Sequence, residues 1–115
     1  MALSKKNRLH AKKDFDNIFK NGKAVKGHFL LVKSINTGNS PRAGFIIQAK
    51  VAKKAVTRNR IRRILADTVQ KNLDIVKKDT VVLVLKLPAD KKEEKLLLSK
   101  ELKDLILKIN ERYSN

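Results

Sequence analysis

The spacing of apolar residues predicts a short helix near the start of the chain. Phe15, Ile18 and Phe19 recur at intervals of three and four residues, which places them on one face of a helix. Asp14 is suited to cap its start. Asn21-Gly22 predicts its end, with the last residue in the left-handed conformation that glycine favours.

Two further helices are predicted later in the chain, the first beginning near Val56 or Thr57. One side of this helix is apolar and the opposite side is rich in arginine, so one face is expected to pack while the other carries charge. Its apolar side consists of Ile61, Ile64, Leu65, Thr68 and Val69. The last helix has its apolar face marked by Leu96, Leu97, Leu102, Leu105, Ile106 and Ile109.

The remaining segments favour strands. Residues 23–35 predict a strand, residues 36–41 a turn, and residues 42–48 the antiparallel partner of that strand. Residues 80–87 form an almost continuous run rich in Val and Leu, typical of a strand covered on both faces. The order is therefore a helix, two or three strands, a helix, a strand and a helix. We expect an α+β fold, a single-domain α/β sandwich of order α-β-β-β-α-β-α with helices packed on a mixed four-stranded sheet.

The net charge of +17 is concentrated in the first part of the chain. Residues 1–66 carry 17 basic and 2 acidic side chains, whereas residues 67–115 carry 11 basic and 9 acidic ones. An excess of one sign repels itself, and nucleic acid is the polyanion that would relieve the repulsion. The alternative is a generally basic protein without a dedicated face, but the acids here are segregated rather than merely scarce.

Length and composition suit one domain with its own core, because the chain has 115 residues of which 42% are hydrophobic. It contains no cysteine, which excludes a disulfide framework and a thiolate metal site. No stretch resembles a secretory signal or a membrane span, so we expect a cytoplasmic protein without a membrane partner. We expect a single RNA-binding domain over residues 1–115, with a basic N-terminal arm at 1–13 and a C-terminal tail at 111–115.

The arginine-rich face of the second helix is the main candidate for RNA contact. Arginine grips phosphate oxygens with two hydrogen bonds and keeps its charge, while Asn59 offers both a donor and an acceptor for a base edge or a 2′-hydroxyl. The alternative is an ordinary solvated face, but such a face usually mixes charges of both signs.

Two of the five aromatic residues, Phe15 and Phe19, lie one helical turn apart beside the basic arm. They suit either a stacking wall for unpaired nucleotides or the core, and their spacing alone favours the core. The basic half has no clustered carboxylates and no positioned acid and base, so we expect no catalytic group and no metal site on the protein. In a nuclease, another component would have to supply the chemistry.

Residues 55–63 closely resemble the Arg-Asn-Arg signature of the protein subunit of bacterial ribonuclease P. The resemblance continues on both sides of this string and covers about residues 5–110. On the N-terminal side it includes Arg8-Leu9, Asp14-Phe15, Phe19-Lys20 and Gly22. Arg42-Ala43-Gly44-Phe45 resembles the family's strand that precedes a basic connector, which is residues 50–54 in this chain.

The resemblance implies a division of labour between protein and RNA. The RNA subunit, with bound Mg²⁺, cleaves precursor tRNA to give the mature 5′ end, and the protein binds that RNA one to one and holds the 5′ leader. DNA is not an expected partner. RNA contact is implied for Lys50, Lys53, Lys54, Arg58, Asn59, Arg60, Arg62 and Arg63. The leader cleft would be lined by Phe15, Phe19, Arg58, Asn59 and Arg62.

Three positions depart from the family's pattern. Ala49-Lys50 stands where two successive lysines are common, Ala66 where another arginine is usual, and Val32 where some members carry an aromatic residue. Two other functions remain open. One is a structural RNA-binding protein such as a ribosomal component. The other is a helix-turn-helix DNA regulator, which needs a short helix where residues 42–48 predict a strand.

Overall fold

A computed structural model describes residues 5–36, 41–76 and 78–113, apart from the side chain of Tyr113. Within these residues it contains three α-helices, four β-strands and two single turns of 3₁₀ helix. The helices are α1 (Lys12–Asn21), α2 (Ala55–Lys71) and α3 (Glu94–Tyr113). The strands are β1 (Lys23–Lys26), β2 (Leu30–Ile35), β3 (Ala43–Ile46) and β4 (Asp79–Val84). The predicted order α-β-β-β-α-β-α and the α+β class are confirmed.

The four strands form one mixed sheet in the order β1-β2-β4-β3. β4 is antiparallel to β2 and parallel to β3, so the expectation that residues 42–48 pair with the preceding strand was wrong. β4 lies between β2 and β3. It is buried along almost its whole length, as expected for a central strand that is covered on both faces. Most of the predicted turn at residues 36–41 lies outside the described residues.

The predicted strand over residues 23–35 is in fact the β1–β2 hairpin, with Val25 opposite Val32. The Gly27 N–H donates to the Leu30 carbonyl at 2.7 Å and closes the turn. This hairpin contributes two of the four strands of the sheet.

The helices cover both faces of the sheet. Successive strand residues point to opposite faces, and Val81 and Val82 of β4 belong to two different apolar clusters. Val81 packs with Ile18 of α1, whereas Val82 belongs to the main core with Ile61 of α2 and Leu102 of α3. The molecule is therefore a three-layer sandwich with α1 on one face and α2 and α3 on the other.

The ends of α1 differ from the prediction. The N-cap residue is Ala11, with no side-chain cap, so Asp14 lies inside the first turn. Gly22 has φ −77°, which is not left-handed. A Cβ atom there would lie 2.5 Å from the Ile18 carbonyl oxygen and 2.7 Å from that of Ser34. Close approach of two backbones, rather than handedness, is what requires glycine.

The apolar face of α2 is confirmed, whereas that of α3 is shifted at its start. Leu96 is 69% exposed, and Leu98 begins the buried face that continues through Leu102, Leu105, Ile106 and Ile109. Leu96 precedes Leu98 by two residues, a spacing that turns it to the opposite side of a helix. α3 also continues to Tyr113, into the predicted C-terminal tail.

Residues 5–11, part of the predicted N-terminal arm, are attached to the edge of the sheet. Arg8 pairs in parallel with Ala43, and the Leu9 N–H donates to the Ala43 carbonyl at 3.0 Å. Asn7 is buried and its amide donates to the Pro41 carbonyl at 2.7 Å. The burial of Leu9 in the cluster beneath α1 anchors the segment there.

The helix-turn-helix alternative loses ground on this fold. β3, a strand, precedes α2, so the short helix that a helix-turn-helix reader requires is not at that position. None of the described helices is apolar over a length that could cross a bilayer.

Candidate RNA-binding cleft

A cleft of about 400 Å³ runs along the outer edge of β3. β3 is the last strand of the sheet, and within the described residues the only bridge on its outer edge is the one between Arg8 and Ala43. The cleft is lined from one side by the N-terminal segment and α1, along its floor by β3, and from the other side by α2. Its lining residues are Arg8, Leu9, Phe15, Ala43, Gly44, Phe45, Asn59, Arg62, Arg63 and Ala66.

The aromatic wall of the cleft depends on a glycine in the strand beneath it. A Cβ atom on Gly44 would collide with the Phe15 ring, lying 2.5 Å from Cε1 and closer still to Cζ. Glycine therefore lets the ring lie directly against the strand backbone. Phe15 is half-buried, so part of its ring remains accessible in the cleft. A partly exposed aromatic ring is a surface on which an unpaired base can stack.

The opposite wall of the cleft is cationic. Asn59, Arg62 and Arg63 lie three and four residues apart on α2, hence on one face, and all three are exposed. Arg62 Nη1 donates to Asn59 Oδ1 at 3.1 Å, which leaves the amide N–H groups of Asn59 as further donors. The lining described contains three arginines and no carboxylate. This wall offers donors and positive charge to an anion.

Two residues predicted for the leader cleft do not line it. Phe19 packs beneath Lys33, whose Nζ lies 5.1 Å from the ring centroid and donates to the Phe19 carbonyl at 2.9 Å. Arg58 Nη1 donates to the carbonyls of Ala52 and Lys53, each at 2.8 Å. Arg58 thus secures the connector that leads into α2, and Phe15, Asn59 and Arg62 remain as the predicted residues that share the cleft.

Arg60, also predicted for RNA contact, is engaged within the protein. Its Nε lies 2.9 Å from Glu94 Oε1, and the Glu94 side chain is only 6% exposed. The pair joins α2 to the start of α3. Lys50, Lys53 and Lys54 lie exposed on the connector, outside the cleft lining, and their contact with phosphate stays a prediction.

An ion-pair cluster braces the two elements that carry the cleft floor and its aromatic wall. Arg42, directly before β3, lies 2.5 Å from Asp79 of β4 through Nη2 and Oδ2, and 3.5 Å from Asp14 of α1. The hydrogen bonds that Arg42 donates to Asp79 raise the pKa of Arg42, and the charges of Asp79 and Asp14 add to this against the effect of burial. The guanidinium therefore stays charged throughout the physiological range.

Sequence reasoning gave no role to Arg8, Leu9, Gly44 and Phe45, although all four lie in strings that carried the family resemblance. Of the positions that depart from the family's pattern, Ala66 lines the cleft, where an arginine would add a further cation. Val32 is fully buried in the core between the sheet and the helices α2 and α3.

The sequence profile described as Ribonuclease P matches residues 3–110. The chain belongs to the ribonuclease P protein family. It is 29% identical over 115 residues to the ribonuclease P protein component of Pseudanabaena sp., covering 98% of this chain and 99% of that protein. It is 38% identical over 84 residues to the component of Syntrophomonas wolfei, covering 71% of this chain and 70% of that protein.

Solved structures of ribonuclease P proteins share the fold. One is a Staphylococcus aureus RNase P protein mutant with defective mRNA degradation activity, with a TM-score of 0.77, 26% identity, and coverage of 91% of this chain and 88% of that one. Another is the RNase P protein of Thermotoga maritima, with a TM-score of 0.71, 25% identity, and coverage of 86% and 94%. Membership of this family implies an RNA partner in a ribonucleoprotein and a role in tRNA processing.

Proposed function

We propose that this chain binds the catalytic RNA subunit of ribonuclease P and the 5′ leader of precursor tRNA, and so assists removal of the leader. The observation that carries the proposal is the composition of the cleft along β3. A half-buried phenylalanine lines one wall of the cleft, and exposed arginines and an asparagine line the other. The described lining contains no acidic side chain.

This arrangement suits a single strand better than a duplex. Stacking of a base on an aromatic ring contributes about 1–3 kcal/mol and needs the base to be unpaired. In the proposed complex a leader base stacks on Phe15, while Arg8, Arg62 and Arg63 neutralise the adjoining phosphates. Asn59 then supplies an amide for a base edge or a 2′-hydroxyl.

The remaining cations have a different proposed partner. Lys50, Lys53 and Lys54 are exposed on the connector at the start of α2, beside the cleft but outside it. We assign them to the phosphates of the RNA subunit, in a complex of one protein and one RNA. Lying between two RNAs, the protein would screen their repulsion and orient the leader.

The hydrolytic chemistry is assigned to the RNA subunit and its Mg²⁺, in the cytoplasm, where precursor tRNA is processed. Among the described residues, no three histidine or carboxylate groups come together as a ligand set. We assign binding and orientation to the protein.

The proposal is tested by cleavage of precursor tRNA at low Mg²⁺ with a bacterial ribonuclease P RNA, with and without this chain. We expect the wild-type chain to raise the cleavage rate by at least about tenfold, because screening by its cations replaces screening by Mg²⁺. Arg62→Ala with Arg63→Ala should lose most of this gain and lower the slope of log affinity against log salt by about two.

Lys86→Ala with Lys108→Ala is the matched control, because it removes the same charge from exposed positions outside the cleft. It should keep the wild-type rate. No rate enhancement with any partner RNA would disprove the proposal, and so would cleavage by the protein alone. A structural ribosomal protein would give the first of these results.

Leader contact is tested separately by comparing Phe15→Ala with Phe19→Ala. Both residues are half-buried against the same apolar cluster, so both variants lose similar packing, but only Phe15 lines the cleft. We expect Phe15→Ala to weaken binding of the holoenzyme to precursor tRNA roughly tenfold, since one stacking contact is lost, with little change for mature tRNA. Equal losses for the two tRNAs, or the same pattern in Phe19→Ala, would remove Phe15 from the leader site.

A further inference from the structure

A second groove, of about 750 Å³, lies between α2 and the first half of α3. Its lining includes five lysines, Lys71, Lys92, Lys95, Lys100 and Lys103, and a single described carboxylate, that of Asp67. At its base, Thr68 Oγ1 donates to Ser99 Oγ at 2.9 Å and joins the two helices.

This lysine groove is separate from the cleft along β3. The two surfaces share no lining residue. On α2, Arg62 of the cleft and Ile64 of the groove lie two residues apart and therefore on nearly opposite sides of the helix, while Arg63 and Asp67, four residues apart, mark where the two surfaces adjoin. The cleft and the groove therefore offer different side chains to a ligand.

The lysines of the groove are available to an external anion. All five are exposed, and in the described part of the chain none of their ammonium groups takes part in a hydrogen bond or an ion pair. The nearby carboxylate of Glu94 pairs with Arg60 rather than with a lysine of the groove. Positive charges gathered in this way repel one another until an anionic partner lies against them.

The side chains of the groove favour a backbone over bases. The lining contains neither an aromatic residue nor an arginine, so it offers no platform on which an unpaired base could stack. Lysine acts as a point charge for phosphate and reads no sequence. We propose that the groove binds the sugar–phosphate backbone of a second, base-paired RNA segment while the cleft holds a single strand.

Binding of an RNA duplex of about 16 base pairs tests this, with a single strand of about eight nucleotides as the second probe. Lys95→Gln with Lys103→Gln in the full chain should weaken duplex binding roughly tenfold at 0.1 M salt. It should also lower the salt slope by about two, because two phosphate contacts are lost. Binding of the single strand should change less than about twofold.

The control pair is Lys86→Gln with Lys108→Gln, which removes equal charge from exposed positions outside the groove. Equal weakening by both pairs would show a general charge effect and overturn the proposal. Unchanged duplex binding would also overturn it, and a groove serving an acidic protein would give that result. The binding of precursor and mature tRNA by the Phe15→Ala variant is a separate measurement. A negative result for the groove therefore leaves the proposed function standing.

Discussion

Arg42→Ala is expected to lower the free energy of unfolding by about 4 kcal/mol. Asp79 is 1% exposed, and Arg42 reaches it through two hydrogen bonds, of 2.5 Å from Nη2 and 3.2 Å from Nε. Removal of the guanidinium leaves a buried carboxylate without its main counter-charge, and such a loss is more destabilising than loss of an exposed pair. Because the same guanidinium reaches Asp14, the floor of the cleft and its aromatic wall would also lose their link.

Urea unfolding followed by circular dichroism measures this change. Arg42→Leu combined with Asp79→Leu should recover most of the loss, since the buried charge is removed together with its partner. Lys86→Ala controls for the removal of one positive charge at an exposed position. A loss below about 1 kcal/mol for Arg42→Ala would show that water already screens the Asp79 carboxylate.

Glu101→Ala is expected to lower the free energy of unfolding by about 3 kcal/mol. This carboxylate of α3 accepts hydrogen bonds from three backbone N–H groups at the β1–β2 turn. They come from His28 at 3.0 Å and from Phe29 and Leu30 at 2.7 Å each. Leu30 is fully buried, so its N–H has no easy replacement partner. Hydrogen bonds to a charged acceptor are among the stronger ones in proteins.

The same unfolding measurement should give an intermediate loss for Glu101→Gln, which keeps one acceptor oxygen. Glu111→Ala is the matched control, because Glu111 lies exposed on the same helix and the substitution changes helix propensity equally. If Glu101→Ala and Glu111→Ala destabilise the protein equally, the turn does not depend on this carboxylate.

Patterns that repeat over a few residues could be read without the structure. The apolar side of α2, the buried run that became β4, and the order of the elements all follow from local spacing, because a helix repeats every 3.6 residues and a strand every two. The segregation of charge likewise indicated a polyanionic partner. The same spacing could not rank the arginines of α2 by their availability to a ligand, because it placed all of them on the solvent side of the helix.

That ranking depends on partners distant in sequence. Arg60 meets Glu94, 34 residues away, and so is engaged within the protein, whereas Arg62 and Arg63 face the cleft. Phe15 lies in the cleft against Gly44 of β3, whereas Phe19 packs beneath Lys33 of β2. The edge position of β3 follows from the insertion of β4 beside β2.

The sequence by itself therefore determined the kind of elements, their order and the sign of the partner's charge, since each depends on residues close together in the chain. Folding determined which side chains share the cleft and which are occupied by internal ion pairs. The physical reason is that these contacts join residues from separate elements, and strand order and helix docking bring them together only after the chain has folded.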